Sequence, residues 1–376
     1  MLLDPLLTAL SWLLGIIVPR DRQLVVIGGR QFGGNTRPLL EQSARYGLRG
    51  VWLTGRPEIL ALGRENVFST RSLRGLWLGA RAGAVLLTHS LGDFSPLYFG
   101  SRRVRLYNLW HGMPIKRIAR ADPRFPKRSY ARSFGREMGR YRAMFATSPA
   151  MVRLFEESFA LPAERIRITG QPRTDALLSG ATPDLTGRYD PPLPAHRRRI
   201  LYCPTWRDEE PVQLFPFVDR DLEAVQRFLQ EREALLFVRT HPNDPGRLDG
   251  RQGRILPMQA DVVAEVTDTL RSFDVLVTDY SSVYYDYLLL DRPVIFLPYD
   301  LERYTRSPGF FLPFEEIVAE ARPDTQAGFL SALGRALDQP EAESAERHRV
   351  RQLVYTHVDA SATERVLTFL QADLRS

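Results

Sequence analysis

Residues 273–304, FDVLVTDYSSVYYDYLLLDRPVIFLPYDLERY, predict one βαβ unit, and this unit limits the possible folds of the chain more than any other segment. Residues 274–278 form a short apolar run rich in β-branched side chains, as buried strands do. Residues 283–290 carry the apolar spacing of a helix, and residues 294–297 form the next apolar run of strand length. The segment therefore predicts an α/β fold built on a parallel sheet.

The turn between that strand and that helix, Asp279-Tyr280-Ser281-Ser282, predicts an anion-binding site. A helix N-terminus at the carboxyl end of a parallel strand offers unpaired N–H groups and the positive end of the helix dipole. The two serines add hydroxyl donors, so we expect a phosphate or pyrophosphate here. The alternative is that both serines only cap the helix. The candidate ligand-binding residues of this unit are Thr278, Asp279, Ser281, Ser282 and Asp286.

Composition limits the class of protein. The chain has 376 residues, of which 44% are apolar and 25% charged, as expected for a globular protein of two domains. Its one cysteine, Cys203, excludes a disulfide framework and a cysteine-based zinc site and fits a reducing compartment. The formal net charge of +7 favours anionic partners. Because no zinc-finger, basic-zipper or RNP-like pattern accompanies this charge, nucleic acid is not an expected partner.

The first half of the chain predicts a second α/β domain. Residues 24–28 predict a strand that enters the glycine-rich turn 28–35, and residues 39–46 predict the helix that follows. The glycine spacing does not fit the dinucleotide fingerprint, and no acidic residue ends the next strand at 50–53. We therefore reject a nicotinamide cofactor.

A composition break at residues 180–199, rich in Pro, Gly and Asp, predicts the linker between the two halves. The expected architecture is α/β, with two doubly wound Rossmann-like domains that face a cleft. The predicted divisions are an apolar N-terminal helix at 1–22, one domain at 23–185, a second domain at 186–345 and a C-terminal helix that crosses back at 346–376.

Residues 2–18 predict a strongly apolar helix. The segment falls short of the about 20 residues that span a bilayer. It has neither a basic n-region nor a small-residue cleavage site, so a signal peptide is not expected. Two interpretations remain: an amphipathic helix on the cytoplasmic face of a membrane with Trp12 at the interface, or a helix buried against its own domain.

Residues 120–142 form a basic stretch in which cations are interleaved with aromatic side chains. Such a stretch binds anionic lipid headgroups or a polyanionic acceptor, or it is a solvated helix face. Its cations are Arg120, Arg124, Lys127, Arg128, Arg132, Arg136, Arg140 and Arg142, and its aromatic residues are Phe125, Tyr130, Phe134 and Tyr141.

Two of the six histidines, His111 and His241, lie at sharp turns directly after predicted strands. His111 occurs in Trp-His-Gly-Met-Pro-Ile-Lys and His241 in Arg-Thr-His-Pro, where glycine and proline stop the strand from continuing. Open α/β sheets bind their ligands at the carboxyl ends of strands. An imidazole there removes a proton near neutral pH or, as a cation, stabilises an anion. Purely structural histidines are the alternative.

Cations near these turns are candidates for anion binding, although each alone is more often a surface charge. Arg207 is the strongest candidate because it ends a strand-turn segment. Asp219-Arg220-Asp221 resembles the acidic motif that holds a metal in some sugar transferases, but it also fits a helix start, and no second ligand cluster accompanies it. We predict no metal. The candidate cations are Lys116, Arg173, Arg207 and Arg239.

Taken in order, these motifs resemble the CDP-glycerol glycerophosphotransferase family, the teichoic-acid primases and polymerases. The resemblance covers roughly residues 100–370 well and the first hundred loosely. The motifs that carry it are WHGMPIKRI (110–118), GQPRTD (170–175), ILYCPTWRD (200–208), RTHP (239–242), VTDYSSVYYD (277–286), PVIFLPYDLERY (293–304) and SPGFF (307–311).

The resemblance implies a GT-B fold, peripheral attachment to the cytoplasmic face of the cell membrane, and transfer of glycerol phosphate from CDP-glycerol with release of CMP. It implies that His111 and His241 are the essential histidines and that the serines of TDYSS contact the donor phosphate. The N-terminal domain is then the acceptor side and the C-terminal domain the donor side. Met113 stands where the family more usually has Thr or Ser, and Ser307-Pro308 replaces the Arg that usually precedes the Gly-Phe pair. These two departures concern the identity of the acceptor and the donor more than the type of reaction.

The expected mechanism places CDP-glycerol in the cleft, and no cofactor is expected beyond this donor. Its pyrophosphate lies against Ser281, Ser282 and the helix N-terminus. Arg207, Arg239 and His241 neutralise the charge that shifts toward CMP. His111 removes the proton of a hydroxyl on a lipid-linked or oligosaccharide acceptor. On the acceptor side, Gly112, Lys116 and Arg173 are expected near phosphate.

Three alternatives remain open at this point. A transferase of the same fold that uses CDP-ribitol or a nucleotide sugar in capsule synthesis fits the same motifs. A GT-B-fold UDP-sugar epimerase would turn over its substrate without an acceptor. A non-catalytic membrane-binding scaffold gives no reason for histidines at two strand ends.

Overall fold

The computed structural model divides the chain into two compact units. Unit 1 comprises Met1–Met113, Phe125–Asp175 and Thr356–Ser376, and unit 2 comprises Pro114–Arg124 and Ala176–Tyr355. The residues that the structure describes are 3–99, 103–126, 128–180, 182–190, 192–193, 198–207, 210–241, 244–319 and 321–376.

Unit 1 is built on a parallel sheet of seven strands in the described part of the chain. The strands are β1 (Asp21–Ile27), β2 (Arg49–Thr54), β3 (Val67–Ser69), β4 (Ala82–Leu87), β5 (Arg105–Asn108), β6 (Tyr141–Ala146) and β7 (Ile166–Ile168). Their order in the sheet is β3-β2-β1-β4-β5-β6-β7, so the chain winds outward in both directions from β1. Every residue of β4 is buried, as expected for a central strand with both faces covered.

Helices cover this sheet, and short polar residues start several of them. Ser72 accepts a hydrogen bond from the Gly75 N–H at 3.0 Å, and Ser148 accepts one from the Met151 N–H at 3.3 Å. No described helix of the chain is both long and apolar enough to cross a membrane. The helices of unit 1 are α1 (Leu3–Ile17), α2 (Thr36–Gln42), α3 (Pro57–Leu60), α4 (Leu73–Arg81), α5 (Arg128–Met138), α6 (Pro149–Phe159) and, from the end of the chain, α14 (Ala362–Arg375).

The last helix, α14, is part of the unit 1 core. Its apolar side chains Val366, Leu367 and Leu370 are buried in one cluster with residues of the central strands. The Tyr107 hydroxyl donates to Asp373 Oδ2 at 2.5 Å, which fixes the end of α14 to β5. Burial of this apolar face is what stabilises the helix on the sheet.

Unit 2 contains a parallel sheet of five strands among the described residues, in the order β10-β9-β8-β11-β12. The strands are β8 (Arg198–Cys203), β9 (Ala234–Val238), β10 (Ile255–Pro257), β11 (Val275–Thr278) and β12 (Val294–Phe296). The helices are α7 (Asp175–Ser179), α8 (Leu222–Glu231), α9 (Val283–Leu288), α10 (Leu301–Arg306), α11 (Phe314–Ile317), α12 (Gln326–Asp338) and α13 (Ser344–Val354).

The βαβ unit predicted at 273–304 forms β11, α9 and β12 of this sheet. Helix α9 is buried along its whole length and has only six residues, fewer than the sequence pattern predicts. Strand β11 is central, between β8 and β12, so the turn that follows it lies at the carboxyl edge of the sheet.

The unit boundaries differ from the predicted divisions. The chain divides between Asp175 and Ala176 rather than after residue 185, and unit 1 resumes at Thr356 rather than at residue 346. Residues Pro114–Arg124 belong to unit 2 because they pair with a distant segment. The Arg117 N–H donates to the Gly309 carbonyl at 2.9 Å, and the Phe311 N–H donates to the Ile115 carbonyl at 3.1 Å.

Candidate active site

In unit 1, a sharp turn after β5 presents His111 to solvent. We call residues 109–113 the His111 turn. Trp110 has φ 54°, and Gly112 has φ 150° and is buried. A Cβ on Gly112 would lie 2.8 Å from Arg173 Nη2, so only glycine fits there without displacing that guanidinium. The predicted role of Gly112 at a phosphate remains a prediction, and its structural role is this close approach.

The ring of His111 is held by neighbours at the end of β4. It stacks on the His89 ring with centroids 4.3 Å apart and planes 3° apart. His111 Nδ1 lies 3.4 Å from the Thr88 carbonyl oxygen, and the Trp110 indole packs at 4.5 Å. An Nδ1–H directed at that carbonyl leaves Nε2 as the proton acceptor.

Buried Asn35 ties three loops of unit 1 together behind His111. Its Nδ2 donates to the Trp110 carbonyl at 2.9 Å and to Gln171 Oε1 at 3.3 Å. Its Oδ1 accepts from the Arg173 N–H at 3.2 Å. Because Asn35 ends the glycine-rich turn after β1, the end of β1 supports the His111 turn.

Arg173, predicted on the phosphate side, supports the His111 turn directly. Its Nη1 donates to the His111 carbonyl at 2.7 Å. Asp175, from the same GQPRTD motif, accepts from the Ala362 N–H at 2.9 Å and the Thr363 N–H at 2.7 Å, at the start of α14. The motif therefore anchors the His111 turn and the last helix within one unit.

In unit 2, Arg207 is a buried cation surrounded by its own counter-ions. Its Nη2 lies 2.9 Å from Asp279 Oδ2 and 2.8 Å from Asp300 Oδ1. Three rings, those of Tyr280, Tyr299 and Tyr304, face the guanidinium at 5.1 to 5.5 Å. Two carboxylates thus already contact the guanidinium, and the predicted anion-binding role of Arg207 stays a prediction.

The protonation states of this cluster follow from its contacts. Burial works to lower the pKa of Arg207, but the hydrogen bond that Arg207 donates to Asp300 and the charge of Asp279 outweigh it and raise the pKa. Burial works to raise the pKa of Asp300, but the hydrogen bond and charge of Arg207 lower it. Burial raises the pKa of Asp279, while the charge of Arg207 and the hydrogen bond from the Thr205 N–H act to lower it. Arg207 and Asp300 therefore form an ion pair at neutral pH, with Asp279 Oδ2 2.9 Å from the same guanidinium.

The residues before the predicted anion turn are structural. Thr278 is buried and its hydroxyl donates to the Cys203 carbonyl at 2.7 Å. Asp279 Oδ1 accepts from the Thr205 N–H at 2.7 Å, which fixes the turn after β8 to the turn after β11. Both side chains are buried and bonded to neighbouring loops, and their predicted role in ligand binding stays a prediction.

Asp286 is also an internal residue. It lies on the fully buried helix α9 and is 1% exposed. Its carboxylate accepts from the Thr267 hydroxyl at 3.0 Å and from the Tyr355 hydroxyl at 3.3 Å. These bonds satisfy the carboxylate in the interior of unit 2, and its predicted role in ligand binding stays a prediction.

Ser281 and Ser282 remain partly exposed at the end of β11. Ser282 is the N-cap residue of α9, but no side chain caps the helix, so the capping alternative is not what the structure shows. The N–H groups of Tyr284 and Tyr285 donate to the carbonyls of Ser281 and Ser282. A six-residue helix offers little dipole, so the anion site predicted here depends on the hydroxyls.

A pocket of about 220 Å³ in unit 2 is lined by several cations and by the indole of Trp206. It brings Lys116 and Arg207 together, although the sequence placed Lys116 on the acceptor-side domain. Lys116 arrives there through its bridge to Phe310. The pocket is lined by Lys116, Arg124, Trp206, Arg207, Glu210, Asp300, Arg303, Tyr304, Ser307 and Pro308.

His241 lies exposed at the end of β9 and stacks on Trp206, with ring centroids 4.8 Å apart and planes 24° apart. Trp206 also lines the pocket, so one indole connects the histidine to the cations. Pro242 and Asp208, which belong to the motifs around these residues, lie outside the described residues.

Arg239 contacts the loop after β10, and its predicted role in neutralising charge on the donor stays a prediction. Its Nη1 donates to the carbonyls of Met258 at 3.0 Å and Val263 at 2.5 Å. Burial lowers the pKa of Arg239. Its guanidinium is therefore engaged with backbone.

Among the described residues, no cluster of three or more His, Cys, Asp or Glu side chains is arranged to hold a metal ion. Asp219 Oδ1 accepts from the Gln326 N–H at 3.0 Å, and Asp221 caps α8 by accepting from the Ala224 N–H at 3.1 Å. The acidic motif at 219–221 therefore serves helix starts.

The basic stretch at 120–142 is only partly free in solvent. Arg142 pairs with Asp373 at 2.9 Å and Arg124 pairs with Asp122 at 2.9 Å. Arg132 and Arg136 are exposed on α5. Lys127 and the side chain of Arg128 lie outside the described residues.

The family model described as CDP-Glycerol:Poly(glycerophosphate) glycerophosphotransferase matches residues 15–372. The chain belongs to this family. The expected resemblance is thereby confirmed, and the prediction of a transferase enzyme is confirmed at the level of the family.

Curated relatives of this glycerophosphotransferase family member include enzymes of both polyol types. A teichoic acid glycerol-phosphate transferase of Staphylococcus aureus is 25% identical over 360 residues, which cover 90% of this chain and 89% of that protein. A teichoic acid poly(glycerol phosphate) polymerase of Staphylococcus epidermidis is 29% identical over 235 residues, 59% of this chain but only 32% of that protein. The ribitol-phosphate polymerase TarK of S. aureus is 28% identical over 232 residues, 60% of this chain and 44% of that protein.

The fold of this family member matches a solved structure of the wall teichoic acid polymerase TagF with a TM-score of 0.80 at 20% identity, over 98% of this chain and 94% of that chain. The predicted GT-B fold is confirmed. The S. aureus MnaA-UDP structure matches with a TM-score of 0.55 at 15% identity, over 93% and 97% of the two chains. The family match favours the transferase over the epimerase alternative.

Proposed function

We propose that this protein transfers glycerol phosphate from CDP-glycerol to a hydroxyl of a teichoic-acid-type acceptor and releases CMP. The observation that carries the proposal is the His111 turn. An exposed imidazole lies at a strand end with Nδ1 facing the Thr88 carbonyl, so the Nδ1–H tautomer carries its lone pair on Nε2. Family membership supplies the reaction class.

In the proposed reaction, the acceptor oxygen attacks the β-phosphorus of CDP-glycerol and gives its proton to His111 Nε2. The bond from that phosphorus to the bridging oxygen breaks, and CMP leaves with the electron pair. A positioned proton acceptor contributes about 10²- to 10⁴-fold. The rest of the barrier is lowered by positioning and by charge stabilisation.

The donor-side roles fall to the side chains of unit 2 that reach solvent. We assign His241, Lys116, Ser281 and Ser282 to the phosphates of the donor. Lys116 and Trp206 line one pocket, and His241 stacks on the same indole, which supports this assignment. Arg207 supports the pocket through its ion pairs rather than by meeting the phosphate.

The test of the reaction is CMP release from a panel of donors. The protein is incubated with CDP-glycerol, CDP-ribitol or UDP-N-acetylglucosamine, each with and without a lipid-linked glycerol phosphate acceptor. We expect CMP from CDP-glycerol only when the acceptor is present. If CDP-ribitol is the only one of the three donors that is turned over, the donor is CDP-ribitol and not CDP-glycerol. Turnover of the UDP sugar in the absence of any acceptor would support an epimerase instead.

We further propose that the protein acts at the cytoplasmic face of the membrane and attaches through α1. Helix α1 packs against α4 on one side and exposes an apolar face on the other, with Leu6 72% and Ile17 67% exposed. Leu73 on α4 is 83% exposed. Large exposed apolar patches on soluble folds mark sites of interaction with membranes or proteins.

Cations next to this patch favour an anionic bilayer as its occupant. Arg74 and Arg81 of α4 line a surface pocket together with Trp77, which is itself exposed. Arginines near the surface of an anionic leaflet each contribute about 1 kcal/mol of attraction. The acceptor proposed above is lipid-linked, so the same attachment keeps the protein near its substrate.

A further inference from the structure

We propose that His89 is a positioning residue for His111, and that its flat ring holds the His111 imidazole in the orientation that accepts the acceptor proton. The inference rests on the role proposed for His111 above. Nothing in the motifs around His89 predicts this, because His89 and His111 are 22 positions apart and follow different strands.

The contact between the two rings is a nearly parallel stack. The centroids are 4.3 Å apart and the planes differ by 3°. Face-to-face contact at this distance restricts rotation of the exposed imidazole about its side-chain torsions, because any tilt would press one ring into the other. The Trp110 indole also contacts the His111 ring, with centroids 4.5 Å apart and planes 34° apart.

One residue, Thr88, contacts both histidines. Its hydroxyl Oγ1 lies 2.9 Å from His89 Nδ1, and its carbonyl oxygen lies 3.4 Å from His111 Nδ1. The hydroxyl fixes the His89 ring, and the ring in turn fixes the plane in which His111 faces the carbonyl. With Nδ1 directed at a carbonyl oxygen, the Nδ1–H tautomer of His111 is favoured, and the lone pair of the ring is then on Nε2.

The backbones that carry the two rings are joined as well. Asn108 is fully buried; its Nδ2 donates to the His89 carbonyl at 3.2 Å, and its Oδ1 accepts from the Trp110 N–H at 2.8 Å. The ends of β4 and β5 are therefore held at a fixed separation. The hydrogen bonds of Asn108 thus fix the backbone that carries each of the two stacked rings.

The charge state of His89 suits this role. Burial lowers the pKa of His89 to about 3, with further contributions from His111, Arg30 and Arg56. Because the His89 ring is neutral, it does not repel the imidazolium that forms when His111 takes a proton. A second positive ring at 4.3 Å would oppose it.

Two substitutions of His89 distinguish the effect of its aromatic ring from the effect of its hydrogen bond to the Thr88 hydroxyl. His89→Phe keeps a flat neutral ring and loses the bond to the Thr88 hydroxyl, whereas His89→Asn keeps a group for that bond and loses the ring. We expect His89→Phe to stay within about threefold of wild-type kcat. We expect His89→Asn to lower kcat about 10- to 100-fold, the range for a catalytic group displaced by about 1 Å.

The KM for CDP-glycerol is expected to stay within about twofold in both variants, because an orientation effect acts on the transition state. The measurement is steady-state CMP release with CDP-glycerol and a lipid-linked acceptor, with thermal unfolding recorded for each variant. Equal kcat loss in both variants, or wild-type kcat in His89→Asn, would overturn the inference.

The variant His111→Ala and the double variant His89→Asn/His111→Ala distinguish this inference from the proposed function. If His89 acts only through His111, adding His89→Asn to His111→Ala lowers kcat no further. An additional loss in the double variant would contradict the positioning role. A fully active His111→Ala would instead remove the proposed base, whatever the His89 variants show.

Discussion

Trp206 stacks on His241 and at the same time forms part of the wall of the pocket that contains Lys116. The same kind of support occurs in unit 1, where His89 stacks on His111. Each histidine singled out by its strand-end turn is thus exposed and lies against an aromatic ring. Exposure provides access to substrate, and the stack limits the orientations the ring adopts.

Replacing Trp206 is expected to weaken donor binding. An aromatic pair contributes about 0.5–1.5 kcal/mol beyond its buried area, so Trp206→Ala raises the KM for CDP-glycerol about two- to tenfold, and Trp206→Phe restores most of it. Trp77→Ala, which removes an exposed indole of unit 1, is the matched control. Unchanged KM in Trp206→Ala would show that the stack does not support the donor site.

Arg207 is expected to be essential for the stability of unit 2. Arg207→Met leaves Asp279 and Asp300 without their buried cation, and breaking such a pair costs about 3–5 kcal/mol. Arg303→Met, which removes a cation whose side chain is 49% exposed, is expected to cost at most about 1 kcal/mol. Urea denaturation compares the two; equal free energies of unfolding would contradict this account of the cluster.

The same cluster predicts a pH dependence with a definite sign. The folded-state pKa of Asp300 lies below its value of about 3.9 in an unfolded chain. Its contribution to stability is therefore fully present above about pH 4 and is lost as the pH falls through the folded pKa. We expect Asp300→Asn to reduce stability at pH 7 and to flatten the decline below pH 4, measured by urea denaturation across that range. Asp249→Asn, an exposed control, should leave the profile unchanged.

Asp175 is expected to hold the start of α14. It accepts two backbone N–H groups there, and loss of such a cap costs about 0.5–2 kcal/mol. Asp175→Ala should therefore speed amide hydrogen exchange in α14 more than in the strands of unit 1. Glu364→Ala, at an exposed position in the first turn of α14, is the control. Unaltered amide exchange in α14 of Asp175→Ala would contradict the claim that Asp175 stabilises the start of this helix.

Membrane attachment is expected to depend on the exposed face of α1. The triple variant Leu6→Ser/Leu13→Ser/Ile16→Ser should bind phosphatidylglycerol vesicles at least about tenfold more weakly, since each apolar side chain contributes on the order of 1 kcal/mol or more. Leu62→Ser, an exposed leucine outside α1 and α4, should sediment with vesicles like the wild type. Wild-type vesicle binding by the triple variant, with loss of self-association, would assign the face to a second copy of the chain.

Local patterns in the sequence were sufficient for the βαβ unit of unit 2 and for the first strand and helix of unit 1, but β3 and α4 were not predicted. The strand that ends at Thr278 and the helix after it were visible as an apolar run followed by helical spacing. The burial of Asp286 had a signal too, because VYYDYL is apolar on every side of the helix. A carboxylate in such a helix must be satisfied internally.

Long-range pairing was not visible in the sequence. Residues 115–117 join unit 2 by pairing with residues 309–311, which lie almost 200 positions away, and no local pattern specifies that partner. The stacking of His89 on His111 was not predicted for the same reason, because it depends on the pairing of β4 with β5 in the sheet. Arg207 looked like a free cation because its partners Asp279 and Asp300 come from two other loops.

The most direct test of the central claim is the rate of CMP release by His111→Ala at saturating CDP-glycerol and acceptor, compared with His357→Ala, a histidine elsewhere in unit 1. Donor binding by both variants is measured by calorimetry with CDP-glycerol. We predict a loss in kcat of at least about 100-fold in His111→Ala, with donor affinity unchanged, and near wild-type turnover in His357→Ala. Wild-type-like turnover by His111→Ala would contradict the assignment of His111 as the proton acceptor.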